Sequence, residues 1–126
     1  MLADILVVVV GGGIGAGLRF LISHAMPTDG DGFPWATFIV NLTGCFVLGV
    51  ISGIAVRTNV MSRPMLLFLG TGMCGGFTTF STFSMEAMNL FHAGHFYLVA
   101  AYIGGSLVGG LGAAALGLLI VRYQTP

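Results

Sequence analysis

Four long apolar runs, separated by polar breaks of six, seven and four residues (PTDGDG, RTNVMSR and HAGH), constrain this chain more than any other feature. The runs cover roughly residues 2–26, 33–56, 64–91 and 95–121. A helix needs about 20 mostly apolar residues to cross about 30 Å of hydrocarbon, so each run is long enough to span a bilayer. A soluble domain carries about 25% charged residues. This chain has 6%, too few for a water-facing skin. The sequence therefore predicts an all-α integral membrane protein, a single multi-pass domain over residues 1–126. Breaks this short force neighbouring helices to run antiparallel and leave no room for a domain outside the membrane. Any function sits inside the bilayer.

Several function classes drop out early. Net charge is zero and no basic cluster exists, which argues against nucleic-acid binding. Asp4, with no Lys or Arg ahead of the first run, argues against a cleaved signal peptide. Cys45 and Cys74 lie within apolar runs without metal-ligand spacing and read as small buried hydrophobes. His24, His92, His95, Asp29 and Asp31 occupy run ends and form no metal-binding pattern. With no Ser/His/Asp or Cys/His constellation, an enzyme is not expected. GGGIGAG places Gly11, Gly13 and Ala16 at the spacing of a dinucleotide loop, but a four-span chain lacks the βαβ context that loop requires.

The third run is anomalous. Arg63 to His92 is 30 residues, about 45 Å as one straight helix at about 1.5 Å per residue. Such an element must tilt or break, and the adjacent Gly75 and Gly76 suggest a break near its middle, within 75–79. A kink is the simpler alternative, because paired glycines are common in membrane helices. A true break at this depth survives only where the freed backbone faces protein, water or ions, and interrupted helices recur at ion sites. Just beyond lies FTTFSTFSMEAMN, where Phe77, Phe80 and Phe83 alternate with hydroxyl side chains. Small-xxx-small pairs recur in every run (Gly11/Gly15, Gly13/Gly17, Gly49/Gly53, Gly72/Gly76, Gly105/Gly109) and predict tight helix packing.

Polar groups inside the runs are the candidate site. Arg19 lies near the end of the first run; Arg57, Arg63 and Arg122 read as interfacial anchors. Glu86 either has an intramembrane partner or reaches the interface near His92. Asn41 offers two amide donors that must be satisfied, with Thr37 one turn away on its face. Tyr102 and Ser106, four apart, share a face of the last run. A second half-helix starting near Thr78–Phe80 would present amides and a positive dipole end, which favour an anion, while carbonyls ending the first half near Cys74–Gly76 could hold a cation. Phenylalanine edges are also electropositive. Neutral donors and ring edges suit a small, strongly hydrated anion, which full charges would trap.

Three stretches resemble the Fluc (CrcB) family of fluoride channels: GGGIGAGLRF, PWATFIVNLTGCFVLG and TGMCGGFTTFSTFSMEAMN, the last most specifically. The resemblance covers essentially the whole chain. It implies a passive channel that exports fluoride across the bacterial cytoplasmic (inner) membrane. It further implies a dual-topology homodimer of antiparallel subunits, two pores, and one structural sodium ion on the two-fold axis. By position, Phe80 and Phe83 would be the pore phenylalanines, Asn41 the pore amide and Arg19 the vestibule arginine. Glu86, Ser81 and Thr82 would lie along the outer path, and Tyr102 and Ser106 would begin a polar track on the last helix. Gly75 and Thr78 would give carbonyl oxygens to sodium. Gly110 and Ala114 stand where some relatives have hydroxyls, so only the first two members of that track are expected here.

Two other readings share the size and helix number. A proton-coupled drug exporter needs an intramembrane acid in the first helix, where this chain has Arg19. A non-transporting assembly subunit would use the same Gly and Thr/Asn contacts merely as glue. Charge placement is a weak guide to orientation, with Arg57, Arg63 and Arg122 on the terminal side against Arg19 on the other.

Overall fold

The computed structural model describes residues 1–124. Among them, four helical segments are long and apolar enough to cross a membrane: Leu2–Ala25, Trp35–Arg57, Arg63–His92 and Phe96–Gln124. The first two are α1 and α2, and the last is α5. The third segment consists of two helical pieces, α3 (residues 63–77) and α4 (Phe80–His92), joined by Thr78 and Thr79 in extended conformation. Much of the outer surface is large and apolar, including Leu6, Val9, Leu107, Val108 and Leu111, as a lipid-facing protein requires.

The ends of these helices follow local chemistry. Ser62 caps α3 by accepting from the Met65 N–H at 3.4 Å, and Pro64 occupies the first turn, where its missing N–H costs nothing. At the end of α4, Gly94 adopts a φ of +82°. The His95 N–H then reaches the Leu90 carbonyl and the Gly94 N–H the Phe91 carbonyl, both at 3.0 Å, which closes the helix and turns the chain into α5. Within α3 the residues Leu67–Cys74 form wide π-helical turns before the α-helical turn of Gly75–Phe77.

The glycines sort the helices into pairs. A side chain on Gly15 would collide with the Met73 carbonyl, and one on Gly76 with the Gly12 carbonyl, so α1 and α3 touch backbone to backbone. On the other side, Gly49 of α2 meets Ala114 of α5, and Gly117 of α5 meets the Phe46 carbonyl of α2. Gly105 and Gly109 receive Phe38 and Leu42. Close approach multiplies dispersion contacts, the main attraction available between helices in lipid. Gly13 and Gly17 do not take part, since both face open space.

The interruption at Thr78–Thr79 changes the third segment's partner. Upstream of it α3 lies on α1; downstream, α4 packs on α5 through a core of Ala87, Leu90 and Tyr102, with Phe33, Phe38 and Phe83 around it. The adjacent glycines are not the point of rupture. Gly75 and Gly76 sit within helical turns, and the backbone departs from the helix three residues after Gly75. Sterics explain the difference. Gly76 is needed small for its contact with α1, whereas the departure from the helix is set by side-chain hydrogen bonds at Thr79.

Candidate functional site

The two extended residues are held from α2. Asn41 donates from Nδ2 to the Thr79 carbonyl at 3.0 Å and accepts the Thr79 N–H on Oδ1 at 2.8 Å. A side-chain amide thus serves one peptide as a neighbouring β-strand would, meeting the demand that no backbone group go unpaired in hydrocarbon. Only this amide orientation satisfies both bonds. Asn41 was expected to present its amide to an ion; the structure instead spends its oxygen and one N–H on Thr79, leaving one N–H donor.

Thr79 also caps α4. Its Oγ1 accepts the Thr82 N–H at 3.2 Å and lies 3.1 Å from the Thr82 hydroxyl and 3.4 Å from that of Ser81. These two caps redirect two donors. In a continuous helix the Thr79 N–H would bond the Gly75 carbonyl, and the Thr82 N–H would bond the Thr78 carbonyl. Both N–H groups are occupied elsewhere, so the carbonyls of Gly75 and Thr78 lose their helical donors. The Gly76 carbonyl between them accepts from Arg19 Nε at 3.2 Å. Arg19, expected to face a vestibule, is thereby tied to the backbone beside the interruption. Among the described residues no group of three or more His, Cys, Asp or Glu side chains converges.

Beside this feature lies an open groove of about 360 Å³ between α2, α3, α4 and α5. Its lining includes Asn41, Thr78, Thr79, Phe80, Phe83 and Ser106. The rings of Phe80 and Phe83 are 5.7 Å apart, but their environments differ. Phe83 is partly buried against Tyr102, whereas Phe80 is 79% exposed. Ser106 Oγ is buried and has no hydrogen-bond partner among the described residues. It does not bond its own helix backbone.

Glu86 settles between its two sequence readings in favour of an internal partner. Thr37 Oγ1 donates to Oε1 at 2.9 Å, and the Tyr102 hydroxyl donates to Oε2 at 2.6 Å. The carboxyl group joins α2, α4 and α5 without any cation. Thr37 and Tyr102 are both buried, at 4% and 0% exposure, so these bonds sit in protected surroundings. On its other side Glu86 lines a cavity of about 210 Å³ with Asp31 and Asn89, beneath the loop joining α1 to α2. Thr37 is the residue whose partner sequence reasoning did not find. Its spacing from Asn41 was visible, but its partner lies 49 residues away on α4. Thr79 was likewise passed over as one hydroxyl among five. A capping position three residues before Thr82 was the available signal.

A family model described as CrcB-like protein, Camphor Resistance (CrcB), matches residues 6–118. A protein of Chlorobium phaeobacteroides (strain BS1) named Fluoride-specific ion channel FluC is 42% identical over 120 residues, covering 95% of this chain and 94% of its own length. A protein of Chlorobaculum tepidum with the same name is 43% identical over 122 residues, 97% of both chains. One from Oceanobacillus iheyensis, again so named, is 38% identical over 120 residues, 95% of this chain and 92% of its own.

Proposed function

Since the chain belongs to the CrcB family, whose similar members above are named fluoride-specific channels, we propose that it is a fluoride channel rather than an enzyme. It lets fluoride leave the cell passively across the bacterial inner membrane. The observation that carries this reading is the groove beside the interrupted third segment. It gathers the remaining Asn41 N–H, the unpartnered Ser106 hydroxyl and two phenylalanine rings in one place, without a full charge. Fluoride must exchange a costly hydration shell for donors, and neutral donors with ring edges supply them without a trap.

The path runs from the groove along Ser106 and Tyr102, one turn apart on α5, to Glu86. It continues into the cavity by Asn89 and Asp31. Ser81 and Thr82 lie at the start of α4, where amides and dipole favour an anion. Arg19 beside Gly76 adds a positive potential that draws anions in without binding them directly.

One subunit does not enclose this path. The groove opens outward and Phe80 in its lining is 79% exposed, so a second copy would close the walls. We assign the assembly as an antiparallel, dual-topology homodimer with two pores, whose third segments are interrupted near mid-membrane. A structural sodium ion at its centre fits the chemistry of the residues. The carbonyls of Gly75 and Thr78 lack helical donors, Gly75 is exposed, and two subunits would together offer four neutral oxygens. When bound, such an ion supplies the charge that holds four carbonyl dipoles together.

The test is fluoride efflux from liposomes containing purified protein, followed with a fluoride electrode after valinomycin relieves the potassium diffusion potential. Rapid fluoride release with chloride retained is expected. No flux from folded protein would favour the assembly-subunit reading, and drug-linked proton movement would favour the exporter.

A further inference from the structure

We infer that Asn41 and Thr79 are positioning residues for the cation site, acting by removing the donors that would otherwise keep its ligand oxygens inside the helix. The inference rests on the sodium reading above and extends it to side chains that do not themselves touch the ion. In a helix each carbonyl points along the axis at the N–H four residues on, which both occupies the oxygen and blocks approach along it. Here the N–H partner of the Gly75 carbonyl is held at 2.8 Å by Asn41 Oδ1. The N–H partner of the Thr78 carbonyl is held at 3.2 Å by Thr79 Oγ1. Two side-chain oxygens, one from α2 and one from the interruption itself, therefore correspond one to one with the two candidate ligand carbonyls. Arg19 completes the selection. By binding the Gly76 carbonyl at 3.2 Å it withdraws one of the two oxygens that lie between them, the other being that of Phe77. Unwound carbonyls are the usual ligands of sodium at mid-membrane sites.

A purely architectural role for Asn41 predicts lower stability in any salt. A positioning role predicts a changed response to sodium, and the two are separable. Purified protein in detergent is unfolded thermally while sodium chloride replaces N-methyl-D-glucamine chloride at constant ionic strength. The wild-type midpoint should rise and saturate. Thr79→Ser, which keeps the oxygen, should saturate at the same sodium concentration. Thr79→Val and Asn41→Leu should each need at least tenfold more, a shift worth about 1.4 kcal/mol. Because Asn41→Leu risks failing to fold, the Thr79→Ser and Thr79→Val pair decides the matter alone. Saturation of Thr79→Val at the wild-type concentration would overturn the positioning role and leave the sodium site standing. Absence of any sodium response in the wild type would remove the site, and the positioning role with it.

Discussion

Replacing Tyr102 with Phe removes the hydroxyl that donates to Glu86. The ring is fully buried at 0% exposure, and its contacts with Phe33 and Phe83, at centroid distances of 5.4 and 4.9 Å, do not involve the hydroxyl. Packing therefore survives the change. What is lost is the 2.6 Å bond to Glu86 Oε2, while Thr37 continues to serve Oε1. Leaving a buried acceptor without its donor costs about 1–3 kcal/mol. We expect Tyr102→Phe to lower unfolding free energy by about 2 kcal/mol. The measurement is denaturation in mixed micelles with increasing sodium dodecyl sulfate, followed by circular dichroism. A cycle with Glu86→Leu isolates the pair, and its coupling should be about 1 kcal/mol or more. A Tyr102→Phe protein within about 0.5 kcal/mol of wild type would show that the carboxyl group finds another donor, and the reasoning would fail.

Three further outcomes are expected. Gly15→Ala drives a methyl group into the Met73 carbonyl and should destabilise the protein by about 1–3 kcal/mol, whereas Gly13→Ala, facing open space, should stay within about 0.5 kcal/mol; the same denaturation assay reads both. Phe80→Ile and Phe83→Ile should each slow fluoride efflux about tenfold or more, a barrier change of about 1.4 kcal/mol, with the oligomeric state unchanged by light scattering. Undiminished flux would take the rings out of the path. Arg63→Ala breaks the 3.0 Å pair with Asp4, but with Arg63 78% exposed the loss should be under about 0.5 kcal/mol and should shrink in high salt.

The four spans were legible because hydrophobic length is a one-dimensional property. Residues such as Arg57, Arg63 and His92 fall where the apolar runs stop, and the helices stop with them. Small-residue spacing also carried over: Gly49, Gly105 and Gly109 do receive neighbours. It could not tell those from Gly13 and Gly17, because spacing gives a face but not which helix covers it. The site was legible as a set of residues and not as a set of pairings. Asn41 and Glu86 stood out as polar groups needing partners, yet those partners are Thr79, Thr37 and Tyr102, drawn from other helices. Glycine likewise drew attention to residues 75 and 76, since conformational freedom is a local property. The interruption falls at Thr78–Thr79 because a distant amide competes for a backbone bond, and no local pattern records that competition.

The amide of Asn41 also makes the shape of the third segment depend on the second. Until the second span lies alongside, Thr79 has no outside partner, and in lipid its peptide can pair only with its own chain. As one unbroken helix the 30 residues of the third segment would run about 45 Å, more than the hydrocarbon thickness. The second span supplies the external bonds that the interruption uses in place of internal ones. The groove beside Thr78 and Thr79 is in this sense a product of tertiary contact, absent from every span taken singly.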